Sequence, residues 1–133
     1  MGLCIIPATA QDAKDSQSTS RGTWLYVGGS GPGNYTLIQD AINHASDGDT
    51  VFVYNGLYSE EIIVNHSISL LGENKVMTII DGEEFTPGHI ITISSDNVRV
   101  SGFTIQNCGE ACIVLSNSNE ISGNLLNIIK LCL

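Results

Sequence analysis

Basic residues are scarce in this chain. Five Lys and Arg stand against 14 Asp and Glu, a formal net charge of −9. A field of that sign repels phosphate backbones and anionic lipid, which argues against nucleic acid as a partner. Charged residues of both signs make up only 14 % of the chain and hydrophobic ones 42 %, a globular balance rather than a disordered one. Long apolar runs are also missing, and none approaches the roughly 18 residues of a membrane span. No Ser/His/Asp ordering or Cys/His pair carries motif context, and no EF-hand or nonapeptide calcium frame is present. No residue earns a catalytic assignment, and no cofactor or metal site is expected.

What the chain does hold is Gly, Asn, Ser and Thr in abundance, which suits many tight turns. With 133 residues it is long enough for one domain with a modest core. Gly2 to Ala8 is apolar, and Ala8-Thr9-Ala10 has the A-x-A form of a cleavage site. Residues 1–10 therefore read as the end of a truncated secretory signal, and residues 11–22 as a polar, flexible lead-in. Cys4 would leave with the signal. Two glycosylation triplets fit an exported chain: Asn34-Tyr35-Thr36 and Asn65-His66-Ser67.

The remainder, 23–133, reads as one domain. Helical periodicity occurs once, where Ile38, Ala41, Ile42 and Ala45 form one apolar face. Thr36 is the expected N-cap, Gln39 closes a Thr-x-x-Gln capping box, and Gly48 supplies the stop. After Gly48 the pattern changes to period two. Short aliphatic pairs such as Val51/Val53, Ile62/Val64, Ile68/Leu70, Ile91/Ile93 and Val98/Val100 are separated by Asn, Asp, Ser and Gly. With no helices between these strands, a doubly wound α/β fold is excluded.

The strands repeat. Ile91 and Ile93 recur as Ile113 and Leu115, offset by 22, and Val100 and Gly102 recur as Ile121 and Gly123, offset by 21. Backwards, Ile62 and Val64 precede Ile91 and Ile93 by 29, while Leu70 and Gly72 precede Val100 and Gly102 by 30. The extra residues are housed in "EEFTPGH", a Pro/Gly-bearing loop. A unit of 21–22 residues without a helix or a leucine-rich frame fits one turn of a parallel β-helix. Gly72, Gly102 and Gly123 then fall at one recurring corner. The pattern decays after Gly123, so the expected domain is truncated at its C-terminal end, with an open edge able to self-associate.

The phrases "YTLIQDAI", "DGDTVFVYNGLYSE", "ISLLGEN", "TIIDG" and "VSGFTIQN" together resemble the secreted right-handed parallel β-helix proteins of the pectin-lyase-like superfamily. The resemblance covers about Trp24 to Asn124. It is typical of archaeal-type, repeat-bearing surface proteins, and similar phrases open pectin methylesterases and the copper-processing accessory protein of nitrous oxide reductase. It implies an all-β, single-stranded parallel β-helix whose N-terminal end is capped by the short α-helix. The implied location is extracellular or at the cell surface. The implied function is a non-catalytic scaffold or carbohydrate-binding module. The alternatives are the N-terminal part of a polysaccharide-active enzyme, or a periplasmic copper-handling accessory protein.

Trp24, Tyr26, Tyr35, Tyr54 and Tyr58 are candidate stacking faces for sugar, or else ordinary packing residues, with Trp24 beneath the helix. Tyr54 and Tyr58 are preferred as ligand-binding residues, with Asp81 as a hydrogen-bonding partner. The expected partners are surface polysaccharide or other cell-envelope proteins. His44, His66 and His89 lie 22 and 23 residues apart, yet they fall on a helix, a corner and a loop, so the spacing does not stack them. Asp47, Asp49, Glu83 and Glu84 read as turn residues, and Arg99 as an exposed solubilising residue. Cys108 and Cys112 bridge a tight turn or pack there as small hydrophobes. Cys132 follows Cys112 by 20 residues, close to one repeat, which makes a Cys112–Cys132 disulfide between adjacent turns the candidate pairing.

Overall fold

The computed structural model describes residues 22–83, 88–109, 111–115, 118–126 and 131–132. The expected leader, 1–10, and nearly all of the lead-in, 11–22, lie outside the described residues, as does Glu84. One helix is present among them, α1 (Ile38–His44), and no helix is long and apolar enough to cross a membrane. The rest is short strands. They are β1 (Trp24–Val27), β2 (Thr50–Val53), β3 (Gly56–Tyr58), β4 (Ile62–Val64), β5 (Ser69–Gly72), β6 (Thr78–Asp81) and β7 (His89–Ile93). They continue with β8 (Arg99–Ser101), β9 (Thr104–Gln106), β10 (Ala111–Leu115), β11 (Glu120–Ile121), β12 (Leu125–Leu126) and β13 (Leu131–Cys132).

Among the described residues all of the strand pairs are parallel, and they form three sheets. Sheet A runs β1-β2-β5-β8-β11, sheet B runs β3-β6-β9-β12, and sheet C runs β4-β7-β10-β13. From β2 onward each sheet therefore takes every third strand. This mostly-β, all-parallel arrangement is compatible with a parallel β-helix.

The register follows the repeat residue by residue. Val51, Leu70, Val100 and Ile121 are successive partners in sheet A, and Ile62, Ile91 and Ile113 in sheet C. Each inward aliphatic thus stacks on its counterpart in the next strand. Val51, Leu70, Val100, Ile62, Ile91 and Ile113 are all fully buried, each contributing about 1.5–3 kcal/mol of apolar transfer. In β6 the inward residues are Thr78 and Ile80, and Ile79 is half-buried on the outer side.

The helix end differs from expectation. Its N-cap is Leu37, which makes no side-chain cap bond, so the Thr36/Gln39 capping box does not form. Glu60 replaces it, and Gln39 is used elsewhere. The Glu60 carboxylate accepts the Ile38 N–H at 2.8 Å and the Gln39 N–H at 3.0 Å. The Gln39 amide turns to sheet C, accepting the Ile63 N–H at 2.7 Å and donating to the Ile63 carbonyl at 3.1 Å. That amide pairs as a further strand would, and it occupies backbone groups at the sheet edge. The helix closes at Ala45, whose N–H reaches the Ile42 carbonyl, rather than at Gly48. Gly48, at φ 93°, instead makes the turn into β2. Ile38, Ala41 and Ile42 are buried, and the helix packs on β1, β2 and β4.

Of the cysteine alternatives the structure takes the tight-turn bridge, and not the Cys112–Cys132 pairing between adjacent turns. Cys108 is bonded to Cys112, with Cα atoms 5.0 Å apart. Cys132 lies beside Val114 in the β10–β13 register, so Cys112 and Cys132 do not share a rung. Both bonded cysteines are buried. Closing so short a loop limits the stabilisation to about 2 kcal/mol. Urea unfolding of a Cys108→Ala/Cys112→Ala double variant is expected to show a loss of that size.

Candidate ligand-binding face

Strand register builds two outward rows across sheet A. The first runs Trp24, Thr50, Ser69, Arg99, Glu120, and the second Tyr26, Phe52, Leu71, Ser101. The first covers four strand steps, roughly 19 Å at about 4.8 Å per step. Its N-terminal end is aromatic and its far end polar.

Alternation explains the aromatic end. Leu25 and Val27 turn toward the core, which puts Trp24 and Tyr26 outside, and Val51 and Val53 do the same for Phe52. Ring centroids lie 6.4 Å apart for Trp24–Tyr26, and 6.1 Å for Trp24–Phe52, Tyr26–Phe52 and Tyr26–Tyr54. Phe52 and Tyr54 meet edge-on at 5.2 Å. Trp24 is 47 % exposed and Tyr26 38 %, so the cluster presents open ring area. Trp24 therefore sits on the outer face of the sheet and not beneath α1.

Tyr54 belongs to this cluster, but Tyr58 does not. Tyr58 is only 8 % exposed, and its hydroxyl donates to the Tyr54 carbonyl at 2.8 Å. Burial first, then Glu60 and Glu73, push its pKa above the ordinary phenol value, which keeps the hydroxyl a donor. With its ring packed inside, Tyr58 offers no stacking face.

The polar end is a groove of about 570 Å³, lined in part by Ser69, Asn97, Arg99, Ser118, Asn119 and Glu120. Arg99 Nε donates to Glu120 Oε1 at 2.8 Å, pairing residues that sequence distance separates by one repeat. Both are more than half exposed, so the pair contributes little to stability. Asn119 Oδ1 accepts the Val98 N–H at 2.8 Å and holds the corner.

Asp81 is committed elsewhere. Its carboxylate accepts Gln106 Nε2 at 2.8 Å, Asn107 Nδ2 at 3.0 Å and the Glu83 N–H at 2.9 Å. Gln106 first, then Asn107, hold its carboxyl below the usual aspartate range. It clamps β6 to β9 and the turn after β9, and these donors occupy the oxygens that a ligand would need. Asp47 and Asp49 are likewise used by backbone donors: Ser67 N–H for the first, Thr23 and Ser46 N–H for the second.

Asn34 and Asn65 differ in setting. Asn34 is half-buried and donates to the Gly28 carbonyl at 2.7 Å, whereas Asn65 is exposed in the turn between β4 and β5. Gly102 (φ 86°) and Gly123 (φ 66°) turn the chain after β8 and β11, and Gly72 ends β5 against Gly102. Cys112 is in its disulfide, as described. Among the described residues no group of His, Cys, Asp and Glu is placed to hold a metal ion.

Two features went unread in the sequence. Trp24, Tyr26 and Phe52 as one cluster needed the parallel pairing of β1 with β2. Glu60 shares parity with Tyr58 and Ile62, both inward-facing, and that parity was the available signal.

Comparison with known proteins gives one distant likeness. A protein of Methanothermus fervidus named "Cell surface glycoprotein" is 36 % identical over 74 residues, 53 % of this chain. The matched region spans only 12 % of that glycoprotein's length. No family model matches the chain, and no solved structure matches it.

Proposed function

We propose that the chain is an exported, non-catalytic module of a cell-surface protein that engages neutral surface polysaccharide across sheet A. Its architecture in this reading is the right-handed parallel β-helix of the pectin-lyase-like superfamily, with α1 as the N-terminal cap. The Trp24–Tyr26–Phe52–Tyr54 cluster, with Trp24 and Tyr26 exposed and Phe52 and Tyr54 half-buried, carries the reading. Sugar rings are apolar on their C–H faces and polar at their rims. A face that grades from aromatic rings to Ser, Asn, Arg and Glu meets both demands along one line. The net charge of −9 favours neutral over anionic polymers. The name of the M. fervidus protein supports the surface location.

Titration of the chain with neutral polysaccharides, followed by Trp24 fluorescence, tests the proposal. Saturable quenching is expected. A Tyr26→Ala variant, read by calorimetry, should bind about tenfold more weakly, the loss of one stacking contact of about 1.4 kcal/mol. Absence of binding to a panel of neutral glycans, by both methods, would refute the carbohydrate role.

A further inference from the structure

We infer that Asn65, and not Asn34, is the position at which this chain carries an N-linked glycan in its folded form. The inference rests on the reading of the chain as exported. Both asparagines stand in acceptor triplets. Their amide nitrogens have opposite fates on folding.

The Asn34 side chain is part of the loop that covers β1. Its Nδ2 donates to the Gly28 carbonyl at 2.7 Å, and a methyl group placed on Gly31 would lie 3.0 Å from that same nitrogen. Around it, Tyr35 N–H reaches the Tyr26 carbonyl and Gly28 N–H the Tyr35 carbonyl, both at 2.8 Å. A sugar replaces one of the two hydrogens on Nδ2 and has to fit beside Gly28 and Gly31, which crowds the loop and the Val27–Tyr35 bridge it makes with β1.

Asn65 has none of these constraints. It is exposed, and its side chain makes no hydrogen bond to the described residues. The turn around it is held by other groups. Ser67 N–H bonds to Asp47 Oδ1 at 2.9 Å, Ser67 Oγ donates to the Asp96 carbonyl at 2.7 Å, and Ile68 N–H reaches the His66 carbonyl at 2.9 Å. Because Ser67 Oγ is engaged in the fold, the sugar is transferred while the chain is still extended. The fold then decides which product survives: a glycan at Asn65 projects into solvent, and one at Asn34 opposes closure of the loop.

The test is secretion of the whole chain from yeast behind a heterologous signal, then glycopeptide mapping of the protease-resistant fraction. Asn65 should be occupied there, and Asn34 occupancy should be at least about tenfold lower, equivalent to 1.4 kcal/mol against the modified fold. An Asn65→Gln variant should lose the glycan mass and keep its urea midpoint. Equal occupancy of Asn34 in the resistant fraction, or an unmodified Asn65, would overturn the inference. A chain retained in the cell but glycosylated at Asn65 would still support the inference, because the borrowed signal stands in for the export on which it rests. A retained chain unmodified at Asn65 would overturn it.

Discussion

A Gly72→Ala variant is expected to lose about 3 kcal/mol or more of folding stability, the upper range for an overpacked site. The reason is not backbone torsion, since Gly72 does not occupy the left-handed region. A Cβ there would overlap the Gly102 carbonyl oxygen, and it would also lie 3.2 Å from the Phe103 ring. The ring could shift, but the carbonyl belongs to the neighbouring strand connection, whose N–H is in turn bonded to the Gly123 carbonyl at 3.1 Å. Relief therefore requires separating strands of sheet A. Gly33→Ala is the control. Gly33 has φ 83° and nothing within 4 Å of an added Cβ, so only the left-handed strain of about 1–2 kcal/mol applies. Urea unfolding followed by Trp24 fluorescence checks both. A Gly72→Ala variant within 1 kcal/mol of the parent would mean that the corners are not in this contact.

Glu60→Ala is expected to cost about 3 kcal/mol, because it strands two helix N–H groups, one of them deeply buried. Glu60 is 7 % exposed and is the only side chain among the described residues that caps the first turn of α1. A helix of seven residues has little stability of its own, so loss of this anchor should free it from sheet A and sheet C. Glu60→Gln keeps one carbonyl oxygen and should lose about half as much. Hydrogen exchange at Ile38 and Gln39 reports the site directly: both amides should lose protection in the alanine variant while Val100 and Ile113 keep theirs. Unchanged exchange at Ile38 would show that the cap is dispensable.

These two sites mark different degrees of legibility. Gly72, Gly102 and Gly123 stand out in the sequence because the repeat places them at one corner, and the offsets of 29–30 and 21–22 reappear as strand register. Glu60 does not stand out, because its partners are backbone amides 21 and 22 residues away. The capping box illustrates the same limit. Thr36 and Gln39 satisfy the local rule, but a buried carboxylate outcompetes the hydroxyl, and the Gln39 amide gains two bonds at the sheet edge. The candidate face is half legible. The aromatics are visible as residues, but the sequence pattern alone does not part Tyr58, whose ring β3 sends inward, from Tyr54.

The sequence alone determined the parallel, short-stranded, β-rich character of the chain and its register. Burial of aliphatics at period two, repeated at a fixed spacing, leaves few ways to satisfy both the core and the backbone. Tertiary structure alone decided the helix cap, the Cys108–Cys112 disulfide and the membership of the aromatic cluster. Each of these depends on which groups meet across strands, and competition among alternative partners is settled by three-dimensional distance, not by position along the chain.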